Sequence, residues 1–438
     1  MAKQIFCEAR MTEKKLKLRE VFTPGGQPSV TYVSRDHLNL ERRVKQAIAK
    51  GFSINVVTGP TKSGKTVLCN HVLSQSGQSI SIEGGQIRTE ADFWAQIVHL
   101  LDLGRERTRM EAGTLAGTVS AGASGGIPKV FELNTSGSKG STRTTQRSIT
   151  YNVNPQRAAL DALVEQDISL LVDDFHYIPQ DAQKGIIQAL KGAVFKGLTV
   201  ILLAVPHRAF DPLTVEQEVE GRFQHIEIEP WETSDLVLIP ERGFEALNID
   251  SSDALNKAIC AEGFGNPLLV QEICSDLCIK NDIYEKSDVA YKIEKGHLEN
   301  SLSDIAKSKG FPKYNKLKAG PDARKKRQLR NFKDGTAQDK YSAILTAIAS
   351  VGPKPRTSYD ELRSALQTLL IPSSMPAKHE ITSALVNMTK IAREKIEGEP
   401  PIEWVASENS LVITDPFLLF YMKWATHHDA PGSQLPTT

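Results

Sequence analysis

The sequence has few cysteines, no long apolar run and almost no net charge. Five cysteines in 438 residues are too few for the disulfide framework of a small secreted domain. The longest apolar run, residues 198–206, has about half of the roughly 20 residues that a membrane-spanning helix needs. Glu8, Glu13 and Glu20 interrupt the N-terminal segment, which therefore lacks the apolar centre of a signal peptide. These absences predict a cytoplasmic protein without a membrane partner.

The sequence also lacks the spacing of a structural zinc site. Cys274 and Cys278 are four residues apart on a predicted helix, so they could contact one ligand together. No second pair of histidines or cysteines is available to complete a tetrahedral site. We therefore expect these two residues to be buried free thiols, and we expect no zinc.

The length and charge balance set the scale of the molecule. At roughly 100–200 residues per domain, 438 residues predict two or three domains. With 53 Lys and Arg against 52 Asp and Glu, the net charge is +1, which excludes a polybasic protein when the chain is taken as a whole. The balance leaves open that opposite charges are concentrated in different segments.

One motif predicts the chemistry. Residues 59–66 read Gly-Pro-Thr-Lys-Ser-Gly-Lys-Thr, after the β-branched run 54–57 and before a helical pattern that ends near Gly77. A glycine-rich loop between a strand and a helix is the context that a phosphate-binding loop (P-loop) requires. The predicted nucleotide contacts are Gly59, Pro60, Thr61, Lys62, Ser63, Gly64, Lys65, Thr66 and Val67.

Each residue type in this loop has a physical reason. Gly59 and Gly64 let backbone N–H groups turn toward phosphates without a Cβ in the way, and the following helix N-terminus adds partial positive charge. We expect Lys65 to bridge the β- and γ-phosphates of ATP as a catalytic residue, and the Thr66 hydroxyl to ligate Mg²⁺. For Lys62, a phosphate contact and a solvated loop charge remain alternatives.

A second apolar run, residues 168–172, ends in two carboxylates. Asp173 is expected to hold Mg²⁺ through water, and Asp174 to polarise the water that attacks the γ-phosphate. The alternative is that the pair caps the helix that follows. Because aspartate is shorter than the glutamate more often found as the base, we expect slow hydrolysis.

Strand and helix patterns alternate through residues 31–229. The predicted strands are 54–57, 78–82, 168–172, 199–204 and 224–228. The predicted helices are 89–101, 154–164, with Asn154 as N-cap and Pro155 at its first position, and 181–195. Such alternation predicts an α/β fold with a parallel sheet and nucleotide at the carboxyl ends of its strands. The Gly-, Ser- and Thr-rich insertion 104–153 breaks the pattern and is either a contact for a partner or nucleic acid, or a solvated loop.

The C-terminal half divides by composition. Helical patterns over residues 230–304 predict a small lid. Residues 305–335 hold 11 Lys or Arg and 2 Asp or Glu, a net charge of +9, with Phe311, Tyr314 and Phe332 interleaved. Basic charge with aromatics suits a nucleic acid, but a solvated linker and an acidic protein partner are the alternatives.

Residues 339–427 predict a winged helix. Three helical patterns precede two short strands, and Ser358 is expected to cap the second of these helices. Asp415 and Pro416 suit the N-cap and first position of a final helix. Acidic residues dilute the third helix, so protein docking is an alternative to DNA reading. The predicted organisation is tail 1–30, P-loop core 31–229, lid 230–304, basic linker 305–338, winged helix 339–427 and tail 428–438.

Taken together, these motifs resemble the AAA+/STAND group of P-loop ATPases with a C-terminal winged helix. Their order is also similar to that of origin-recognition-type ATPases, transposon target-selection ATPases and STAND signalling switches. The resemblance implies that residues 32–35, Tyr-Val-Ser-Arg, cradle the base, with Val33 and Arg35 as contacts. It also implies that Pro267, in Gly-Asn-Pro of the lid, contacts the nucleotide.

The same resemblance implies two positively charged catalytic residues. Arg208, with His207 as the alternative, corresponds to the sensor of the γ-phosphate, and an arginine can bind a phosphate bidentately. Arg222 corresponds to the arginine finger that reaches the nucleotide of a neighbouring subunit. A surface salt bridge for Arg208, and a pair of Arg222 with Glu218 or Glu220, are the alternatives.

The expected function is an ATP-dependent molecular switch. ATP would promote a homo-oligomer or engagement of a separate effector protein, and the resemblance suggests bacterial signalling or defence. The first alternative is a DNA-binding ATPase that contacts nucleic acid through residues 305–335, insertion 104–153 and the winged helix. The second alternative is a scaffold that binds nucleotide without hydrolysis.

Overall fold

The computed structural model describes residues 15–103, 154–205, 223–293, 295–322, 326–396 and 400–425. By contacts the chain divides into two units. The first, here called the P-loop unit, consists of Met1–Leu40, Gly59–Leu68 and Ile228–Thr438. The second, here called the sheet unit, consists of Glu41–Thr58 and Cys69–Glu227.

The elements up to residue 227 alternate between helix and strand, as the sequence pattern predicts. In chain order they are α1 (Leu18–Val21), α2 (Leu40–Lys50), β1 (Ile54–Thr58), α3 (Lys65–Ser76), β2 (Ser79–Glu83), α4 (Glu90–Leu100), α5 (Pro155–Glu165), β3 (Ser169–Asp173), α6 (Gln180–Phe195), β4 (Val200–Ala204) and β5 (Phe223–Glu227).

A five-stranded parallel sheet is the centre of the sheet unit. Its strand order is β2-β3-β4-β1-β5, and all neighbouring strands are parallel. Ile54 of β1 lies opposite Val200 on one side and Phe223 on the other. Strands β1 and β4 are buried along their whole length, which explains why they read as continuous apolar runs. The predicted α/β class with a parallel sheet is confirmed.

Local capping rules explain where helices of this unit begin. The Asn154 side chain accepts a hydrogen bond from Gln156 N at 2.9 Å, and Pro155 occupies the first helical position of α5. Thr89 and Asp92 form a capping box at the start of α4. These helices pack on the sheet through a core that includes Phe93 and Trp94, whose rings meet edge to face at 4.9 Å.

After residue 227 the chain is mainly helical. The elements are α7 (Thr233–Leu236), α8 (Leu238–Ala246), β6 (Ile249–Asp250), α9 (Asp253–Ala261), α10 (Pro267–Lys280), β7 (Tyr291–Lys292), α11 (Leu298–Lys309), α12 (Phe311–Ala319), β8 (Leu329–Asn331), β9 (Ala337–Asp339), α13 (Lys340–Ser350), β10 (Arg356–Ser358), α14 (Tyr359–Leu369), α15 (Lys378–Glu394), β11 (Ile402–Val405), β12 (Ser410–Ile413) and α16 (Pro416–Trp424).

One hydrophobic core runs through the P-loop unit from the lid to the C-terminal helix. It also takes in Leu18, Val21 and Phe22, so the N-terminal segment joins the fold before the end of the predicted tail 1–30. The ring of Phe22 lies against Gly243, where a Cβ would come within 2.3 Å of it. The prediction of a tail over all of residues 1–30 is therefore wrong, because three of its apolar side chains belong to the core.

The predicted linker 305–338 is also folded. It contains the end of α11, all of α12 and the antiparallel pair β8-β9. Tyr314, Leu317 and Phe332 are buried in the common core, and burial raises the pKa of Tyr314 to about 12. The linker interpretation is wrong because these apolar side chains fasten the basic segment to its neighbours.

The C-terminal elements follow the predicted order of a winged helix, three helices and then a hairpin. Ser358 caps α14 in a capping box with Glu361, and Asp415 caps α16 with Pro416 at its first position, both as predicted. Strand β10 has no counterpart among the predicted strands, and it pairs with β12 to give the antiparallel order β10-β12-β11.

Two further predictions concern cysteine and membranes. Cys274 and Cys278 are free and buried, as expected, and burial raises the pKa of Cys278 to about 12. In the part of the chain that the structure describes, no helix is long and apolar enough to cross a membrane.

Candidate nucleotide-binding site

The P-loop is a tight turn that leads into helix α3 at Lys65. Ser63 N donates to Pro60 O at 3.2 Å, and Gly64 has a φ of +89°, in the left-handed region that favours glycine. Lys62 is also left-handed, with a φ of +57°. The first N–H groups of a helix have no acceptor within the helix, so this start of α3 offers backbone donors to an anion.

Gly59 is required by close packing rather than by its dihedral angles. A Cβ at this position would lie 3.0 Å from both Cβ and O of Ile228 and 3.2 Å from Oγ of Ser63. Any larger residue would therefore push the loop away from Ile228. The first glycine of the motif sets how closely the P-loop approaches the segment that starts the lid.

Lys65 is buried and folds back over its own loop. Its Nζ donates to Gly59 O at 3.1 Å and to Pro60 O at 2.9 Å. The Ser63 hydroxyl beside it is buried, and no hydrogen-bond partner for it is seen within the described residues. A buried ammonium held by neutral carbonyls, next to an unsatisfied hydroxyl, fits an anionic group such as a phosphate.

Two side chains of the lid hold the P-loop by its backbone carbonyls. Trp231 Nε1 donates to Ser63 O at 2.8 Å. Asn266 Nδ2 donates to Lys62 O at 3.2 Å and to Thr61 O at 3.4 Å. The lid is thus tied to the loop by groups that a sequence motif for the loop does not include.

Asn266 has a second task at the start of α10. Its Oδ1 accepts from Leu268 N at 3.1 Å and from Leu269 N at 3.2 Å, so it is the N-cap of the helix that Pro267 opens. The amide therefore joins the helix of the lid to the P-loop through one side chain. The resemblance of the Gly-Asn-Pro motif implied a nucleotide contact for Pro267, whereas the direct contacts with the P-loop come from Asn266.

A cavity of about 70 Å³ lies between the P-loop, residues 28–35 and the lid. The lining residues without a sequence prediction include the aliphatic Leu40, Ile228 and Ile239 and the aromatic Trp231. A largely apolar cavity beside the backbone donors of the P-loop suits a nucleobase. The predicted contacts that line it are Val33, Arg35, Ser63, Gly64, Val67 and Pro267.

Arg35 lines the cavity, but its guanidinium is already engaged. It donates through Nε to Asp235 Oδ2 at 3.1 Å, and through its other nitrogens to Glu229 O at 2.9 Å and Pro230 O at 2.7 Å. Its plane lies 4.8 Å from the ring centre of Trp231. We therefore expect Arg35 to line the cavity rather than to bind the nucleotide through its guanidinium. That group is buried and anchors the segment after β5.

The opposite wall joins the N-terminal segment to α10. Gln271 accepts from Thr23 N at 2.9 Å and donates to Thr31 Oγ1 at 2.8 Å. Thr31 Oγ1 in turn donates to Val21 O at 2.9 Å. The polar atoms of this chain of hydrogen bonds satisfy one another, and the chain links the N-terminal segment to α10.

In the sheet unit, the predicted carboxylates lie at the carboxyl end of β3. Asp173 is half-buried and Asp174 is exposed, with a φ of +51°. Asp174 N donates to Asp173 Oδ1 at 2.8 Å. The Asp174 side chain makes no capping hydrogen bond to the short helical turn 175–177, so the capping alternative gains no support.

One glycine and one hydrogen-bonded pair of side chains near these ends were missed. A Cβ on Gly84, just after β2, would lie 2.4 Å from Asp174 O, so only glycine permits the observed approach to the acidic turn. At the end of β1, Thr58 Oγ1 lies 2.7 Å from His225 Nε2 of β5 and is hydrogen-bonded to it. Neither has a local sequence signal, because both depend on neighbouring strands.

Comparison with known proteins supplies the fold. No protein-family model matches the sequence, and no curated protein matches it. Among solved structures, the Walker-type ATPase PABY2304 of Pyrococcus abyssi matches over 89% of this chain and 96% of that chain, with 12% identity and a TM-score of 0.53. The chain has the fold of a Walker-type P-loop ATPase.

Two other solved structures are similar to this chain. The ORC2 protein of Aeropyrum pernix, in ADPNP–ADP complexes, matches over 93% of this chain and 97% of that chain, with 11% identity and a TM-score of 0.49. The RuvB Holliday junction branch migration motor of Thermotoga maritima matches over 87% and 93%, with 11% identity and a TM-score of 0.42.

The P-loop ATPase fold implies a bound Mg²⁺, and the donor set can be tested against it. Within the described residues, no three His, Cys, Asp or Glu side chains form a group that could hold a metal alone. A P-loop needs no such group, because a hydroxyl, a water-mediated carboxylate and phosphate oxygens supply the ligands. Thr66 in the first turn of α3 and Asp173 at the end of β3 are residue types that fit this arrangement.

Several of the predicted site residues lie outside the described part of the chain. These are the sensor candidates Arg208 and His207, the arginine-finger candidate Arg222 and the whole insertion 104–153. Their roles remain predictions from resemblance.

Proposed function

We propose that this protein binds ATP with Mg²⁺, hydrolyses it slowly and uses the nucleotide state as a molecular switch. The observation that carries the proposal is the P-loop itself. Its buried Lys65 is held by carbonyls of the loop, its Ser63 hydroxyl lacks a described partner, and a mainly apolar cavity adjoins it.

The residues of the P-loop would bind and orient the triphosphate. Lys65 Nζ would exchange its bonds with Gly59 O and Pro60 O for phosphate oxygens, which form stronger, charge-assisted hydrogen bonds with an ammonium. Thr66 and Asp173 would hold Mg²⁺, which when bound neutralises charge that develops on the phosphates. Val33, Val67, Trp231 and their neighbours would exclude water from the base.

Asp174 is the proposed catalytic carboxylate. It is exposed at the end of β3, and its backbone is held in an unusual left-handed conformation next to Gly84. An exposed carboxylate at a strand end can orient a water and accept its proton. The shorter reach of aspartate supports a slow reaction, which suits a switch better than a motor.

The contacts of the lid support the switch. Because Trp231 and Asn266 bind carbonyls of the P-loop, a change in the loop on nucleotide binding must move or strain these two side chains. The lid would therefore respond to the nucleotide. Formation of a homo-oligomer through Arg222, a separate effector protein and a place in bacterial signalling or defence are the finer parts of this proposal.

Among the residues that the structure describes, no observation favours the DNA-binding alternative. Tyr314 and Phe332, two of the three aromatics of the basic segment, are buried in the core and cannot stack on bases. Cations of the segment with internal partners are Lys309, Lys313, Lys316, Arg327, Arg330 and Lys333.

The deciding experiment is Lys65→Ala with Lys50→Ala as a matched control. Isothermal titration calorimetry with ATP and Mg²⁺ should show a loss of affinity of at least about 30-fold for the first variant, as expected when a buried charged contact is removed. Lys50, exposed at the end of α2, should bind like the unmodified chain when replaced. Unchanged ATP affinity of a folded Lys65→Ala protein would rule out the proposal.

A further inference from the structure

The second lysine of the P-loop is held by the first turn of the C-terminal helix. Lys62 Nζ lies 3.2 Å from Asp415 Oδ2 and 4.9 Å from the ring centre of Phe417. The Asp415 side chain is only 6% exposed, and that of Lys62 is 28% exposed. The two residues are 353 positions apart in the sequence, so their meeting is a product of the fold.

Asp415 is a fully engaged buried carboxylate. Its Oδ1 caps α16 by accepting from Phe417 N at 2.8 Å and from Leu418 N at 3.1 Å. Its Oδ2 receives two ammonium groups, one from Lys62 and one from Lys313 of α12. Burial raises its pKa, but the two lysines and the amide donors outweigh burial and keep the pKa below its ordinary value of 3.8.

The two lysines differ in what else they can bind. Lys313 belongs to a helix of the basic segment, whereas Lys62 belongs to the loop that would close around phosphates. A buried carboxylate must keep a counter-charge, because an unpaired charge in the interior is strongly unfavourable. With Lys313 and two amides in place, Asp415 can release Lys62 and remain paired.

We propose that Asp415 and Phe417 form a receptor for Lys62 that competes with the phosphates of a nucleotide. In the structure described here the P-loop is bound to this receptor. Nucleotide binding would draw Lys62 to phosphate oxygens and free the first turn of α16 from the loop. The inference rests on the proposed function, and it names the contact through which the nucleotide state reaches the C-terminal elements.

Helix α16 is well placed to pass on this release. Its last turn is tied to the lid, because Lys423 Nζ and Trp424 Nε1 both donate to the Glu262 carboxylate, each at 2.8 Å from Oε2. Its middle packs against Gly310, where a Cβ would lie 2.2 Å from Tyr421 Cβ. A helix moves as a rigid element, so release of its first turn from the P-loop would also be felt at its contacts with Gly310 and with the lid.

The test compares Asp415→Asn and Lys313→Met with the unmodified protein by the affinity for a fluorescent ATP analogue in the presence of Mg²⁺. Asp415→Asn removes the competing charge but keeps a good N-cap, so it should tighten nucleotide binding by about five-fold, the scale of one partly exposed ion pair. Lys313→Met leaves Lys62 as the remaining ammonium on Asp415. Release of Lys62 from Asp415 then becomes less favourable, so nucleotide binding should weaken by a similar factor.

A double variant checks that the effect passes through Lys62. In a Lys62→Met background, the additional change Asp415→Asn should leave nucleotide affinity the same. The ammonium group for which Asp415 and the phosphates compete is then absent. Thermal unfolding of each variant reports whether it is folded. If Asp415→Asn cannot be prepared folded, the weakening by Lys313→Met and its loss in the Lys62→Met background test the same contact.

The outcomes separate the receptor from a purely structural ion pair. A structural pair would make Asp415→Asn and Lys313→Met change affinity in the same direction or leave it unchanged, and either result overturns the receptor. The proposed function is tested separately by Lys65→Ala. If Lys65→Ala abolishes binding while Asp415→Asn has no effect, the receptor is wrong and the nucleotide site stands.

Discussion

The P-loop and the basic segment 305–335 both concentrate positive charge, yet the fold uses the two charges differently. In the P-loop, Lys65 lies on backbone carbonyls, which are neutral acceptors that a phosphate can outcompete. In the basic segment, Arg330 pairs with Glu380, and Arg327 binds Asp339 at 2.7 Å and lies 4.8 Å from the Tyr341 ring. The partner of a cation, rather than the local charge density, indicates whether it is available to a ligand.

This comparison explains why a segment with a net charge of +9 is a weak pointer to nucleic acid. Ile305, Tyr314, Leu317 and Phe332 of the segment pack into the core. Its cations Arg330 and Arg327 thereby meet carboxylates of α15 and of the end of β9. The P-loop has no such apolar residues, and its lysines remain at a backbone turn. Lys62 is intermediate in its availability to a ligand. Its partner Asp415 is a carboxylate, but Asp415 also binds Lys313 and so stays paired when Lys62 leaves.

The largest effect is expected at the nucleotide site, where one substitution should lower ATP turnover and leave ATP binding almost unchanged. Asp174→Asn should lower the rate of ATP hydrolysis by about 10²–10⁴-fold, because it removes the proposed proton acceptor. ATP affinity should stay within about two-fold, since the lysines that bind phosphate are retained. Steady-state turnover and calorimetric binding measure the two quantities, with the exposed Asp181→Asn as control. Undiminished hydrolysis would show that another residue is the base.

The next effect tests whether an aromatic of the basic segment is a core residue. Phe332 is 4% exposed, so Phe332→Ala should lower the free energy of unfolding by about 3–4 kcal/mol through the cavity it leaves. Phe311 is 48% exposed, and Phe311→Ala should cost clearly less. Chemical denaturation measures both. If Phe332→Ala left stability intact and instead weakened binding to single-stranded DNA, the polyanion interpretation of the segment would be restored.

A smaller effect is expected from a cation of the same segment. The Arg330 side chain is 7% exposed and its partner Glu380 is 29% exposed. Arg330→Met should therefore destabilise the protein by about 1–2 kcal/mol, less than a fully buried pair because solvent screens Glu380. ATP affinity should not change. Lys318→Met, an exposed lysine of α12, serves as control and should have little effect on stability.

The smallest effect concerns acid and the shared carboxylate. Because the pKa of Asp415 is lowered in the folded protein from its ordinary value of 3.8, its contribution to stability is present above that value. The contribution is lost as the pH falls through the lowered folded pKa. The unmodified protein should therefore lose stability below about pH 4 more steeply than Asp415→Asn. Parallel slopes in denaturation series at several pH values would contradict the pairing.

Much of the fold follows from local rules. The alternating apolar runs predict all five strands of the sheet, and the caps Asn154, Ser358 and Asp415 lie where the sequence places them. These features depend on residues within a few positions of one another, so a single sequence carries the information. The P-loop belongs to the same class, because its glycines and lysine act within eight residues.

Other parts of the site had no local signal. Trp231 and Asn266 reach the P-loop only because the lid folds beside it, and Gly84 is needed only because β2 and β3 are neighbours. The short strand β10 was missed because three residues with one buried side chain lack a strand period. The prediction of a linker was wrong for the same reason, since a basic composition does not indicate which apolar residues of the segment are buried in the core.

The sequence by itself determined the α/β class, the strand–loop–helix of the nucleotide site and the positions of its helix caps, because periodicity, glycine and capping act over short distances. Only the tertiary structure decided which partner each charge has. It turned Arg35 into an anchor, placed the basic segment on carboxylates and brought Asp415 to Lys62. Long-range electrostatic pairing is set by the packing of the core, which a local pattern of residues does not contain.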